Sequence, residues 1–332
     1  MTRPAQDTLV SVVICGYNQA AYVCGAVDSV LGQTHANVEA IVVDNGSTDD
    51  SRAVLQRYCD NPRVRLVLHE QNVPVTRRLN EAIALASGDF ISILYADDYY
   101  LPHKLERQLE AFTLLPPDYG IVYSPNLRVD AQTGRQWVDA SLKQSGDVLQ
   151  AMFTRHFTEG FINPISPLIR RECFHRYPFH EDVFVEGESI FLRFALTYKF
   201  QYLDEPLTVM REHASNMGKA IKKNAEMALI LMEKLAREPA FPPRLLPALR
   251  TFRADFLRGC AWLAIRMASD PAWARQCVFS AVRSRPSQML RPRLLGTLML
   301  SCLPVPAVRL FNHTVNAVRA HNETVTFKAD YV

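Results

Sequence analysis

Apolar positions in the first hundred residues follow two alternating spacings. Short runs dense in β-branched residues read as buried strands: Leu9 to Ile14 (LVSVVI), Ala40 to Val43 (AIVV), Val64 to Leu68 and Phe90 to Leu94 (FISIL). Between them apolar residues recur every three or four positions. This predicts helices over Ala20 to Leu31, Ser51 to Tyr58, Val75 to Ala86 and Pro102 to Leu114. Ser47, Thr48 and Asp49 offer caps ahead of the second helix, Ser87 and Gly88 stop the third, and Pro102 opens the fourth. Strand and helix in repeated alternation imply an α/β fold, a mostly parallel sheet with helices on both faces. Right-handed crossovers gather the C-terminal strand ends at one edge, where ligands of such sheets bind.

Strand character returns from Gly120 to Val129, and residues 130–165 are mixed. A helix is expected over Ile190 to Leu196, with strands over Phe200 to Leu203 and Leu207 to Met210. After about Lys219 the chain becomes helical, Arg-rich and broken by prolines from Pro239 to Pro306, so two domains are expected, 1–218 and 219–332. Charge follows the same division. Residues 1–218 carry 19 Lys and Arg against 27 Asp and Glu, a net of −8, whereas residues 219–332 carry 18 against 7, a net of +11. The acidic part is expected to hold carboxylates for a metal or for catalysis. The basic part is expected to face anionic lipid or an acidic partner, the plainer alternative being a solvated helical surface.

Within the basic part, Phe256, Leu257, Cys260, Leu263, Ala264 and Met267 keep helical spacing. Leu294 to Leu303 and Val305 to Val318 read as short amphipathic helices flanked by Arg291, Arg293, Arg309 and Arg319. Their alternative roles are a subdomain packed on the core or an oligomer contact; the oligomeric state is left open. At about ten residues, Leu294 to Leu303 is half the length of a membrane-spanning helix. The whole chain of 332 residues is 48% apolar and 21% charged, with 13 Gly and 20 Pro, which excludes disordered and collagen-like classes. Seven scattered cysteines without a Cys-x-x-Cys pair suit a reducing compartment and argue against a zinc or disulfide framework. Met1 to Thr8 is polar and unlike a secretory leader, so the expected location is the cytoplasm, at the inner membrane face if the basic tail meets lipid. Arg is not interleaved with aromatics as in a nucleic-acid module, and no nucleic-acid partner is expected.

Candidate chemistry lies where the sheet predicts its ligand edge. The first strand ends in Cys15, Gly16, Tyr17 and Asn18, the second in Asp44 to Asp50, and the fourth in Tyr95, Ala96, Asp97 and Asp98. Carboxylates from two strand ends converging on one crevice suit Mg²⁺ or Mn²⁺ bridging a diphosphate. For Asp44 and Asp49 the alternative is turn and helix capping, and for Asp97 and Asp98 it is capping of the helix at Pro102. No Gly-x-Gly-x-x-Gly follows an early strand and no Gly-Lys-Ser/Thr occurs, which speaks against dinucleotide oxidoreductases and P-loop enzymes.

The ordered set SVVICGYN (Ser11 to Asn18), VVDNGSTDDS (Val42 to Ser51), LYADD (Leu94 to Asp98) and Pro102-x-Lys104-Leu105 resembles the family 2 glycosyltransferases of the Rossmann-like GT-A fold. The resemblance continues through Phe179 to Glu181, Glu186 and Phe191 to Arg193, and ends at Tyr202 to Leu207 and Arg211 to His213, covering roughly residues 9–218. It implies inverting transfer of a sugar from a nucleotide-diphosphate donor, a UDP-sugar by expectation, to a hydroxyl of a sugar or lipid-linked glycan in envelope or exopolysaccharide synthesis. Carried over by motif, Tyr17, Asn18 and Asp44 would hold the nucleotide and Asp97 would lie near the ribose. Asp98 and His213 would hold the divalent metal, and Arg77 or Arg78 would touch base or phosphates. Asn163 to Pro167 resembles the segment that lines the acceptor pocket. Trp137 and Phe161 are candidates for stacking on a sugar, with a core role the alternative for each.

Three positions depart from the family pattern. Tyr95 replaces the first Asp of Asp-x-Asp-Asp, and Leu79 stands where an Arg usually precedes the matched Asn80. The family's general base is an Asp six residues before the matched Arg193, a place held here by Gly187. Inversion needs a carboxylate to accept the acceptor's proton. Glu188 and Glu186 flank the gap as candidates, Glu188 ahead, with Asp182 third. The competing reading is a non-catalytic relative that binds nucleotide sugar within a polysaccharide assembly complex. A nucleotidyltransferase would want a Gly-rich basic loop after the first strand, which Cys15 to Asn18 does not provide.

Overall fold

The computed structural model describes residues 7–213 and 220–322, with side chains to residue 315, in two compact units, Met1–Asn216 and Met217–Val332. The boundary expected at residues 218 and 219 and most of the polar segment Met1 to Thr8 lie outside the described residues.

In the first unit, β1 (Val10–Gly16), β2 (Val38–Asp44), β3 (Val64–Leu68) and β4 (Phe90–Tyr95) alternate with α1 (Val23–Leu31), α2 (Ser51–Leu55), α3 (Val75–Leu85) and α4 (Lys104–Thr113). There follow β5 (Tyr99–Tyr100), β6 (Tyr119–Tyr123), β7 (Asn126–Asp130), β8 (Gln136–Val138), α5 (Leu149–Thr154), α6 (His156–Glu159), β9 (Leu168–Arg170), α7 (Arg171–Arg176), α8 (Ser189–Phe194), β10 (Lys199–Tyr202) and β11 (Thr208–Glu212). Seven strands form the main sheet in the order β10-β6-β9-β4-β1-β2-β3. Only β9 runs antiparallel to its neighbours.

β1 lies inside this sheet, between β4 and β2, and is covered on both faces, which is why LVSVVI shows no polar alternation. Val13, Ile41 and Ile93 point to one side, against Leu79 and Ile83 of α3 and Phe191 of α8. Val12, Ile14 and Val42 point to the other, against Val27 of α1 and Leu105 of α4. The expected mostly parallel sheet with helices on both faces is what forms. The strand expected from Gly120 to Val129 is instead two strands in different sheets, because Pro125 has no N–H to continue a ladder. β7 enters a second sheet of order β5-β11-β7-β8.

The second unit contains α9 (Ile221–Ala236), α10 (Leu246–Arg266), α11 (Pro271–Ser284), α12 (Pro292–Ser301) and α13 (Val305–Asn322). Leu257, Cys260 and Ala264 of the expected stripe join its core with Trp273 and Val278, whereas Met267, just past the end of α10, is 66% exposed. Asp270 caps α11, accepting the Trp273 N–H at 2.9 Å. Among the described residues no helix is long and apolar enough to cross a membrane.

Candidate active site

β2 and β4 flank β1, so the strand order reverses between β1 and β4 and opens a crevice beyond their C-terminal ends. Gly16 permits the close approach there. A Cβ on Gly16 would lie 2.6 Å from that of Ala96, and the Ala96 N–H donates to the Cys15 carbonyl at 3.1 Å. The segments Tyr17-Asn18 and Asp97-Asp98 thereby leave the sheet side by side.

Asn18 sits at φ 54°, and its Oδ1 accepts the Thr48 N–H at 2.8 Å while its own N–H donates to Ser47 Oγ at 2.9 Å. Asn18 therefore fastens the β1 end to the loop after β2. Beside it Tyr17 is 41% exposed, available to stack on a ligand. Asp44 is buried at the end of β2. Its Oδ1 accepts the Ser47 N–H at 3.0 Å and meets Arg52 Nε at 3.4 Å, both contacts leaving Oδ2 aside. Asp49 is not the N-cap of α2, which is Asp50; it ties the loop before that helix, accepting the Ser51 and Ala20 N–H groups at 3.0 and 3.1 Å. The two arginine candidates differ. Arg77 is exposed, whereas Arg78 is buried and spends its donors on Asn45 Oδ1 (3.0 Å), the Gln71 carbonyl (3.1 Å) and Glu81 (3.0 Å). Arg78 thus braces the loops behind the crevice.

Neither Asp97 nor Asp98 caps α4, whose N-cap residue is His103. Asp98 is 2% exposed and accepts the Arg211 backbone N–H at 2.9 Å. Burial, with the neighbouring Asp97 charge, raises its carboxyl well above the usual range. Arg211 also grips the Asp97 carbonyl through its guanidinium at 2.7 Å and lies over the rings of Tyr99 and Tyr22. His213 stacks on Tyr22 with ring centroids 5.1 Å apart and places Nε2 3.2 Å from Asp97 Oδ2. Where the motif reading joins His213 to Asp98, the geometry sets it against Asp97 and turns Asp98 toward backbone.

The loop before α8 is stapled to α3. Thr76 Oγ1 donates to the Val183 carbonyl at 2.8 Å, the Val75 N–H to Phe184 at 3.2 Å, and Asn80 exchanges hydrogen bonds with Phe179, each 2.9 Å. Glu186 points inward: fully buried, it pairs with Arg193 at 3.2 Å and accepts the His180 N–H at 2.7 Å. It is corrected from candidate base to loop fastener, since its carboxylate is committed and shielded from an incoming hydroxyl. Gly187 adopts φ +52°, a left-handed conformation that suits glycine and turns the chain out of the core. The side chain of Glu188, at the N-cap of α8, makes no cap bond and has no hydrogen-bond or ion-pair partner among the described residues. Burial alone pushes its carboxyl up to about 7.

Among the described residues no three His, Cys, Asp or Glu side chains are gathered as a complete ion cage. The Asp97–His213 pair still fits a divalent ion. One carboxylate oxygen and one ring nitrogen are 3.2 Å apart, and such ions commonly take remaining ligands from substrate phosphates and water. Sequence reasoning passed over Tyr22, Arg52 and the clamping role of Arg211. Arg211 and His213 stand two apart at the end of β11, so strand alternation already places them on one face. Nothing in the local pattern marks Tyr22. Trp137 is not core: on β8 it is 37% exposed, while Phe161 is half-buried and stacks on His156 at 5.7 Å.

Comparison with known proteins bears on the family and the fold. A putative teichuronic acid biosynthesis glycosyltransferase of Bacillus subtilis is 40% identical over 103 residues, 31% of this chain and 41% of that protein. The chondroitin synthase of Pasteurella multocida is 32% identical over 179 residues, 50% of this chain and 18% of that one. The chain thus spans less than half the length of these curated relatives. Among solved structures, S. aureus TarS 1-349 in complex with UDP superposes with a TM-score of 0.60 at 17% identity, covering 98% of this chain and 94% of that one. A mannosyltransferase from Pyrobaculum calidifontis, in complex with GDP-Man and Mn²⁺, gives 0.58 at 18% identity, covering 92% and 87%. At such identities the likeness shows a shared fold, that of the GT-A glycosyltransferases. Residues 11–178 match the profile of glycosyl transferase family 2, and the chain belongs to that family.

Proposed function

We propose that the protein transfers a sugar, with inversion, from a nucleoside-diphosphate donor to an acceptor hydroxyl in the synthesis of a surface polysaccharide. The observation that carries this reading is the joining of Asp97 and His213 at the switch-point crevice, next to the exposed Tyr17 and the buried Asp44. Tyr17 would stack on the nucleotide base and Asp44 would accept hydrogen bonds from it. Asp97 and His213 would hold a divalent ion, with Asp98 and Arg211 fixing the Asp97 segment. That ion, when bound, supplies Lewis-acid neutralisation of the leaving diphosphate.

Glu188 takes the proton. As the acceptor oxygen bonds to the anomeric carbon, the bond from that carbon to the diphosphate breaks and the hydroxyl proton passes to the Glu188 carboxylate. A carboxyl titrating near 7 is suited to this role, since half of it is ionised at neutral pH and the base is strong. The curated relatives named above support a polysaccharide acceptor, and the solved relatives with UDP and GDP-Man support a nucleotide-sugar donor.

A second reading, a non-catalytic nucleotide-sugar binder, is favoured by Gly187, which leaves the family's usual base position without a carboxylate. Incubation with a panel of UDP- and GDP-sugars and Mn²⁺ separates the two. Release of nucleoside diphosphate, lost in Asp97→Asn, supports transfer. Calorimetric binding without release, even with glycan acceptors added, supports the binder.

A further inference from the structure

Helix α12 has apolar side chains on two sides. The packed side of α12 carries Leu294, Thr297 and Ser301, all buried, with Leu298 and Leu300 partly buried against the same core. The opposite face bears Leu295 and Met299, 41% and 72% exposed, spaced four apart with Arg291 four before them. Exposed apolar side chains continue on either side in sequence, with Leu290 at 82% and Leu310 at 67%. Packing within the unit accounts for the first side and leaves the second, a strip of apolar side chains in water, uncovered. The charge of the region is equally one-sided. Residues 271–322 contain seven arginines and not one Asp or Glu. Arg283, Arg291 and Arg309 are exposed.

We propose that the α12–α13 region docks on the surface of an anionic lipid bilayer. Leu290, Leu295, Met299 and Leu310 would enter the acyl boundary, and Arg291 and Arg309 would meet lipid phosphates. Charge complementarity selects this occupant over a second copy of the chain, because two copies of an acid-free arginine face repel each other. Shallow insertion of an apolar strip beside arginines also needs no membrane-spanning length. The inference does not depend on the transfer reaction, since none of these residues belongs to the first unit.

The test is co-sedimentation of the full chain with phosphatidylglycerol-containing vesicles and, in parallel, with pure phosphatidylcholine vesicles. Binding to the anionic vesicles alone, weakened by salt, is expected. Arg291→Ala and Arg309→Ala should each weaken it roughly fivefold. Leu295→Ser with Met299→Ser should lower it further while circular dichroism stays unchanged, as all four side chains lie on the surface. Equal binding to both vesicle types, or none to either, overturns the proposal. A concentration-dependent dimer in light scattering that Leu295→Ser and Met299→Ser abolish, without vesicle binding, would assign the face to self-association instead.

Discussion

Replacing Glu188 by Gln separates function from stability in a way few other substitutions would. Glu188 titrates at about 7 against an ordinary 4.5, because burial penalises its ionised form. At about 1.4 kcal/mol for each pH unit, keeping the carboxylate ionised costs the first unit roughly 3 kcal/mol. Residual solvent contact makes this an upper figure. The sign follows from proton binding. A carboxyl whose pKa is higher when folded binds its proton preferentially in the folded state. The cost is therefore absent below about pH 4.5 and complete above about pH 7. Gln keeps the shape and removes the charge, so Tm should rise by roughly 4–10 °C at about pH 8 and by almost nothing near pH 4.5. Transfer or donor hydrolysis should fall roughly 10²- to 10⁴-fold. In the wild type, kcat/KM should rise with pH through about 7. Differential scanning calorimetry at both pH values and a diphosphate-release assay read the two effects. A variant that keeps the wild-type rate, or gains the same Tm at both pH values, refutes the reasoning.

Three further outcomes are expected. Asn18→Ala forces φ 54° on alanine and removes the acceptor of the Thr48 N–H. It should cost roughly 1–2 kcal/mol in urea unfolding and raise the donor KM. Gly187→Asp places a side chain in open space at φ +52°, so it should fold with a loss of about 1 kcal/mol and an unchanged rate. A rate gain of an order of magnitude would show that position 187, not Glu188, is the place for the base. Lys104 is buried in the core, its Nζ 2.6 Å from Ser92 Oγ and 4.2 Å from the Tyr100 ring centre, and burial depresses its ammonium well below the usual range. Lys104→Met should be at least as stable as wild type near neutral pH by urea unfolding; a loss above about 2 kcal/mol would mean that the lysine's hydrogen bonds outweigh its burial.

The main sheet was legible because its strands are buried on both faces and its helices are amphipathic. Those two periodicities are written directly in LVSVVI, AIVV and FISIL and in the intervening segments. β9, three residues long, and β5, two residues long, are too short to carry a period, and both exist only through pairing with distant strands. Asp44, Asp97 and Asp98 were identifiable as residues at strand ends. Their partners were not, because Arg211 reaches Asp97 and Asp98 across more than a hundred residues of chain. The same holds for the competition between Glu186 and Glu188. Sequence places them two apart, and only folding shows that one is tied to Arg193 while the other is left without a partner among the described residues.

The most direct test of the proposed chemistry is to follow hydrolysis of the preferred α-linked nucleotide sugar by proton NMR and identify the first-formed anomer. Water activated by Glu188 should release the β-sugar first, with mutarotation following, and the Glu188→Gln protein should release almost none. Release of the α-sugar first, or an unimpaired Glu188→Gln protein, would contradict single-step inversion with Glu188 as its base.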